Sequence, residues 1–217
     1  KFLKVFNIQK IHLYMFEYSF GFYLINKIRR FSPKIEIVGY QHGIFTNNLC
    51  WFDILRSIRD KKNYLPNKIF ATNAYSFNDY KEKLGKIKIY LKERSSLSEK
   101  NILKQIKIKK DSKNIIVFSG THDIADLYYF FKNTECFRNK NIFFKLHPKN
   151  RFNFKKTRNI FKISNFKSKN FSNIIISQTS SLIYNFLKMK KKFSVIDFDY
   201  KDNLLNSKLL KKINLIS

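Results

Sequence analysis

The sequence predicts an α/β protein with parallel sheets flanked by helices, and three stretches predict it. Asn114–Phe118 (NIIVF), residues 142–144 (IFF) and Asn173–Ile176 (NIII) are short apolar runs. Runs of that length that are apolar throughout read as strands buried on both faces. The first and third lead through small polar residues, 119–122 (SGTH) and 177–181 (SQTSS), into helical patterns at 123–132 and 182–189. Alternation of this kind argues for a parallel sheet covered on both sides.

Taken in order, residues 11–28 (IHLYMFEYSFGFYLINKI) read as a buried or interfacial helix. The run is too short and too interrupted by His12, Glu17 and Asn26 to sit in hydrocarbon, and Arg29 and Arg30 suit its C-terminal end. Ser32-Pro33 punctuates, and residues 35–39 (IEIVG) read as a strand that runs into Tyr40-Gln41-His42-Gly43. A loop and short helix are expected over 47–63, and a strand over 68–72. A helix follows over 73–84, stopped by Gly85, then a strand over 87–91. Residues 92–113, rich in Ser, Lys and Glu, look like a linker with a helical part at 97–108. Beyond the three opening stretches, strands are expected at 160–163 and 193–197, with a polar loop over 164–172.

Composition bounds the function. The chain has 217 residues, of which 44% are hydrophobic and 17% aromatic, enough for a real core and incompatible with a disordered chain. The formal charge is +29, which suits polyanionic partners. Only eight of the 44 basic residues are arginine, however, and arginine is the residue favoured for bidentate phosphate and base contacts. Lysines spread along the whole chain read as a solvated surface. Cys50 and Cys136 do not make a disulfide framework, which fits a reducing compartment.

Three turns carry candidate chemistry. His147 follows the 142–144 run, where Pro148, lacking an N–H, ends the strand; open α/β sheets bind ligands beyond their strand ends. A histidine there, flanked by Lys145 and Lys149, suits a phosphate, although the same residues also fit an ordinary loop histidine. The 178–181 turn opens a helix, whose free N–H groups favour an anion; Ser or Thr at that place is equally a simple N-cap. His42 stands just past another strand end, followed by a glycine that admits close approach or a positive φ; a tight turn is the plainer reading.

These pieces, Tyr40-Gln41-His42-Gly43, Lys145-Leu146-His147-Pro148 and Thr179-Ser180-Ser181, in that order, resemble the bacterial surface-polysaccharide transferases of GT-B architecture. That grouping takes in transferases using CMP-activated acidic sugars, sialyltransferases and CDP-glycerol glycerophosphotransferases. The resemblance covers roughly residues 35–197. It implies a pair of Rossmann-like domains with a cleft between them, GT-B-like with a truncated N-terminal domain. Residues 1–92 would be the remnant of an acceptor-side domain, 93–113 the linker and 114–217 the nucleotide-donor domain. The chain begins at Lys1 rather than methionine, in keeping with that truncation. His147, Lys145, Lys149, Thr179, Ser180, Ser181 and Thr121 would form the nucleotide-phosphate site. His42 would be the base acting on the acceptor hydroxyl, with Gln41 and Gly43 on the acceptor side. The Asp/Glu-Asp/Glu-Gly sequence that carries the base in sialyltransferases does not occur.

The expected activity is metal-independent transfer of a cytidine-nucleotide-activated sugar or glycerol phosphate onto a growing cell-surface polysaccharide. No cofactor is expected beyond the CMP- or CDP-activated donor. The acceptor would be a glycan or lipid-linked glycan, and the location cytoplasmic, with peripheral contact to an anionic membrane. The competing class is a non-catalytic basic module that binds nucleic acid or anionic membrane, favoured if the lysines lie on one face; no specific nucleic-acid motif supports it. His12, His42, His122 and His147 lack metal-ligand spacing. Asp197-Phe198-Asp199 is the one Asp-x-Asp sequence, read as a solvated strand end or a divalent-cation site. P-loop, dinucleotide-binding, serine-hydrolase and RNP motifs are missing from the sequence.

Overall fold

The computed structural model describes residues 7–14, 16–43, 61–93, 101, 103–120, 123–155, 157–164, 166, 169–196, 198 and 211–216. They form two compact units, 1–94 and 95–217, each an α/β fold with a parallel, Rossmann-like sheet flanked by helices.

The first unit is a four-stranded sheet of β1 (Lys10–Tyr14), β2 (Glu36–Tyr40), β3 (Lys68–Ala71) and β4 (Lys88–Leu91), all parallel and in chain order. Helix α1 (Ser19–Phe31) joins β1 to β2, and α2 (Ala74–Leu84) joins β3 to β4. Strands that advance in one direction through right-handed crossovers place their helices on one face. Accordingly Phe22, Ile25 and Ile28 of α1 and Tyr80 and Leu84 of α2 share one core with Ile37, Ile69 and Ala71. The other face carries a file of rings, one per strand. Tyr14 stacks on Tyr40, Tyr40 on Phe70 and Phe70 on Tyr90, with centroids 4.7, 5.3 and 5.4 Å apart, and each pair is in direct register.

The apolar run 11–28 is not one helix. Its first part is β1, where residues alternate between exposed and half-buried, because Ile11 and Leu13 pack on the core while His12 and Tyr14 take the opposite face. The helix begins only at Ser19, after the buried Phe16 and Glu17. Helix α2 matches its expected span. Asn73 caps its start by accepting the Ser76 N–H at 2.9 Å, and Gly85, at φ +64°, ends it in a conformation that a side chain would strain. Residues 44–60, which hold most of the expected loop and short helix, lie outside the described residues.

Between the two sheets in sequence, within 93–113, Leu103 and Ile106 are buried, and β5 (Lys107–Ile108) pairs with β9 (Asn170–Phe171) in a two-stranded ladder. Burial of Leu103 and Ile106 draws that lysine-rich stretch onto the second unit. The main sheet of this unit is built on β6 (Asn114–Phe118), β7 (Asn141–Lys145), β8 (Ile160–Lys162), β10 (Asn173–Ile176), β11 (Ser194–Ile196) and β12 (Asn214–Ile216), in the spatial order β8-β7-β6-β10-β11-β12. The chain steps outward from β6 to one edge, then returns beside β6 and steps outward to the other, which is the dinucleotide-fold order. Helix α3 (Ile124–Asn133) packs Leu127, Tyr128 and Phe131 against Ile115 and Val117. Helix α4 (Leu182–Lys188) meets the opposite face through Phe186 on Phe118, so both faces are covered.

Candidate functional site

Every strand of a parallel sheet ends on the same edge, and the reversal of strand order between β6 and β10 leaves a crevice there. Three turns meet at that edge. Ser119 and Gly120 follow β6, His147 follows β7, Ser177 to Ser180 follow β10, and Asp123 precedes α3. The Gly120 N–H donates to Asp123 Oδ1 at 3.2 Å, and the Ser177 hydroxyl donates to Asp123 Oδ2. Ser177 Oγ in turn accepts from the Thr179 hydroxyl at 2.8 Å and the Thr179 N–H at 3.1 Å. Asp123 and Ser177 are both buried. The packing leaves no room for a side chain at Gly120, where a Cβ would overlap Thr179 Oγ1.

His147 sits on the other side of β6 from that network. Its backbone N–H donates to Ser119 Oγ at 3.3 Å, and its Nδ1 accepts the Lys149 N–H at 3.2 Å. A backbone N–H can only donate, so the neutral ring carries its proton on Nε2. Partial burial, and then the charge of Lys149, hold this imidazole below its ordinary pKa. Lys145 donates to the Ser164 carbonyl at 3.4 Å and lies over the Phe166 ring; Lys149 is exposed. Asn150 ties the β7 turn to the Gly120 carbonyl at 3.5 Å.

In the serine-rich turn two of the three hydroxyl groups have partners within the turn. Thr179 is engaged with Ser177, and Ser180 Oγ accepts the Leu182 N–H at 3.4 Å. Ser181 is the exposed hydroxyl of the three, makes no side-chain cap, and precedes a helix of only seven residues. Thr121 and His122 lie outside the described residues, as do Asp197 and Asp199. The buried side chain of Asp123 lies in the β6–α3 turn. Among the described residues no cluster of three or more His, Cys, Asp or Glu side chains is placed to hold a metal.

In the first unit His42 follows β2 at the carboxyl edge of its own sheet and is exposed, its ring edge-on to Tyr18 at 6.4 Å. Gln41, expected on the acceptor side, is buried. Its amide nitrogen donates to the Gly43 carbonyl and the Ser76 hydroxyl, both at 2.7 Å, and its oxygen accepts from the N–H and hydroxyl of Thr72 at 2.8 and 2.9 Å. All four sites of the amide are used in holding two turns together. Among the described residues Gly43 has no neighbour within 4 Å of a Cβ position, and its φ is not positive.

The site residue least signalled by the sequence is Glu17. It is 3% exposed, and its carboxylate accepts the His42 N–H at 2.9 Å and the Tyr80 hydroxyl. Burial raises its pKa to about 7, against the lowering effect of those two hydrogen bonds. In the sequence it is a lone acid inside the apolar run 11–28, legible only as an obstacle to membrane insertion.

Neither the known protein-family profiles nor the curated proteins contain a match to this chain. Among solved structures the chain is similar to one from Streptococcus pneumoniae described as accessory secretory protein 1, 2 and 3. The identity is 11%, the TM-score 0.39, and the alignment takes in the whole of this chain and 45% of that one. The chain thus spans less than half the length of its structural neighbour.

Proposed function

We propose that this chain belongs to a metal-independent transferase that moves a cytidine-nucleotide-activated sugar or glycerol phosphate onto a cell-surface glycan. The observation that supports the reading best is His147. It stands one strand from the β6–β10 reversal, its Nδ1 occupied by the Lys149 N–H, which leaves Nε2–H as the ring's donor. With CMP-activated sugars the bond from the anomeric carbon to the phosphate oxygen breaks; with CDP-glycerol the bridging phosphoanhydride bond breaks. CMP leaves in both cases, and its new negative charge is met by the imidazole N–H and by Lys145 and Lys149. The acceptor oxygen forms the new bond and gives its proton to His42.

The direct test is thermal unfolding with CMP and CDP. Either nucleotide is expected to raise the melting temperature, by a stabilisation of about 2.7 kcal/mol at a hundredfold excess over its Kd. Stabilisation by duplex DNA with none from cytidine nucleotides would favour the basic-module reading and sink this one. His147→Ala is expected to weaken nucleotide binding by roughly 1.5–3 kcal/mol, the range for a hydrogen bond to a charged group, and to leave unfolding without ligand unchanged. Because burial and Lys149 keep this imidazole neutral, wild-type affinity should be level through neutral pH. It should rise only as pH falls below the ordinary imidazole range.

His42 receives a separate test. His42→Asn is expected to abolish transfer while CMP affinity, measured by calorimetry, stays near wild type. An equal loss of nucleotide affinity in the His42 and His147 variants would place both residues at the donor and remove the base assignment.

A further inference from the structure

The solvent face of α1 is unlike the other described surfaces. Phe31, Phe20 and Tyr23 are 70%, 68% and 59% exposed, the three highest values for large hydrophobic side chains among the described residues. At 3.6 residues per turn, Phe20, Tyr23, Lys27, Arg30 and Phe31 fall within one arc of about 100°. Phe22, Ile25 and Ile28, buried in the core, take the opposite side. The stripe therefore holds three aromatic rings and two cations, and the helix contains no acidic residue. Lys27 lies over the Tyr23 ring at 5.3 Å, and Lys34 is exposed just beyond the helix end.

Two features identify what such a face meets. First, the aromatic residues are not massed into one dry patch, as a protein groove would require of its anchors. Phe20 and Phe31 stand at the two ends of the helix, roughly 16 Å apart at the usual rise, with the cations between them. Rings that reach below the headgroups and Lys or Arg stems that bring their charge up to the phosphates form the pattern of a helix lying in a bilayer interface. Second, a thirteen-residue helix is about 20 Å long, short of a hydrocarbon core of about 30 Å, and none of the described helices is long and apolar enough to cross a membrane. A helix with one side in a protein core and an aromatic, cationic outer side lies along a membrane. We propose that α1 docks the first unit on an anionic phospholipid surface through Phe20, Tyr23 and Phe31, with Lys27 and Arg30 on the headgroup phosphates. The surface is independent of the nucleotide reading of the second unit.

Co-sedimentation of the full chain with vesicles tests it. The protein is expected to bind phosphatidylcholine vesicles containing about one third phosphatidylglycerol, and to stay in solution with phosphatidylcholine alone. The double variant Lys27→Ala/Arg30→Ala should lose roughly thirtyfold in partitioning, at the usual contribution of a basic side chain near such a surface. Phe20→Ser/Phe31→Ser should lose on the order of tenfold or more through the lost apolar burial. Both variants should melt at the wild-type temperature, since none of these aromatic rings supports the core. Lys162→Ala/Lys192→Ala, exposed lysines of the second unit, should bind within about twofold of wild type. Absence of binding to the anionic vesicles would overturn the proposal. So would full binding by the Phe20/Phe31 variant, or an equal loss in the Lys162/Lys192 control, either of which would mean attraction through net charge alone. A wild-type dimer in vesicle-free sedimentation that dissociates in the Phe20/Phe31 variant would make the face a contact between protein copies and would overturn it equally.

Discussion

Gly120→Ala is expected to destabilise the protein by about 3 kcal/mol, the upper range for forcing an extra carbon into a filled site. The added Cβ would overlap Thr179 Oγ1 and fall 2.6 Å from Ser177 Oγ and 2.9 Å from Asp123 Oδ1. All three atoms are engaged in hydrogen bonds of the same network, so none gives way without breaking one, which is why the loss lies at the upper end of that range. The double variant Gly120→Ala/Thr179→Ala removes the nearest obstacle and should recover part of the loss. Chemical denaturation of the four members of that cycle measures the coupling. Strict additivity of the two changes would show that the turns do not meet as described.

Glu17→Gln is expected to be about 3 kcal/mol more stable than wild type at pH 8 and no more stable at pH 4. The reason lies in the linkage between its raised pKa and folding. Its carboxyl titrates near 4.5 when unfolded and near 7 when folded. The stabilising contribution is thus complete below pH 4.5, declines from there, and is lost as pH rises through 7, at about 1.4 kcal/mol for each pH unit separating the two values. Glutamine carries no charge to bury and keeps both partners. Its carbonyl accepts the His42 N–H, while its amide donates to the Tyr80 oxygen. Denaturant midpoints measured from pH 4 to 8 should therefore flatten over that window in the variant; an unchanged slope would mean that another group sets the pH dependence.

What could be read from the residues, and what could not, divides along physical lines. After their leading asparagines, Asn114–Phe118 and Asn173–Ile176 are apolar because they are central strands with both faces covered, and their bounds are plain in the sequence. Helix α2 was legible at both ends, since Asn73 and Gly85 act through their own backbone and side-chain chemistry. The run 11–28 was not, because a strand and a helix that share one core are both apolar, and the break between them, at Glu17 and Tyr18, carries no Gly or Pro. Strand β12 and the β5–β9 ladder are two or three residues long, too short for any periodicity to register. At the site, the place of His147 after a strand followed from Pro148. The engagement of Gln41, Glu17 and Asp123 did not, because each bonds to residues far along the chain or across a turn whose shape only the fold creates.

The file of rings across the first sheet bears on how that sheet finds its alignment. Parallel strands joined by long crossovers have no hairpin turn to set their pairing, and a shift by one residue exchanges the two faces of a strand. In β2 such a slip would carry Tyr40 to the helix side and bring Gly39 or Gln41 into the file, leaving Tyr14 and Phe70 facing a gap. With Phe70 displaced likewise, Tyr90 would have no ring beside it. Each correct pairing adds one stacking contact, and each error interrupts the file at two places. The four rings therefore act as a proofreading mark laid across strands that the chain gathers from Tyr14 through to Tyr90.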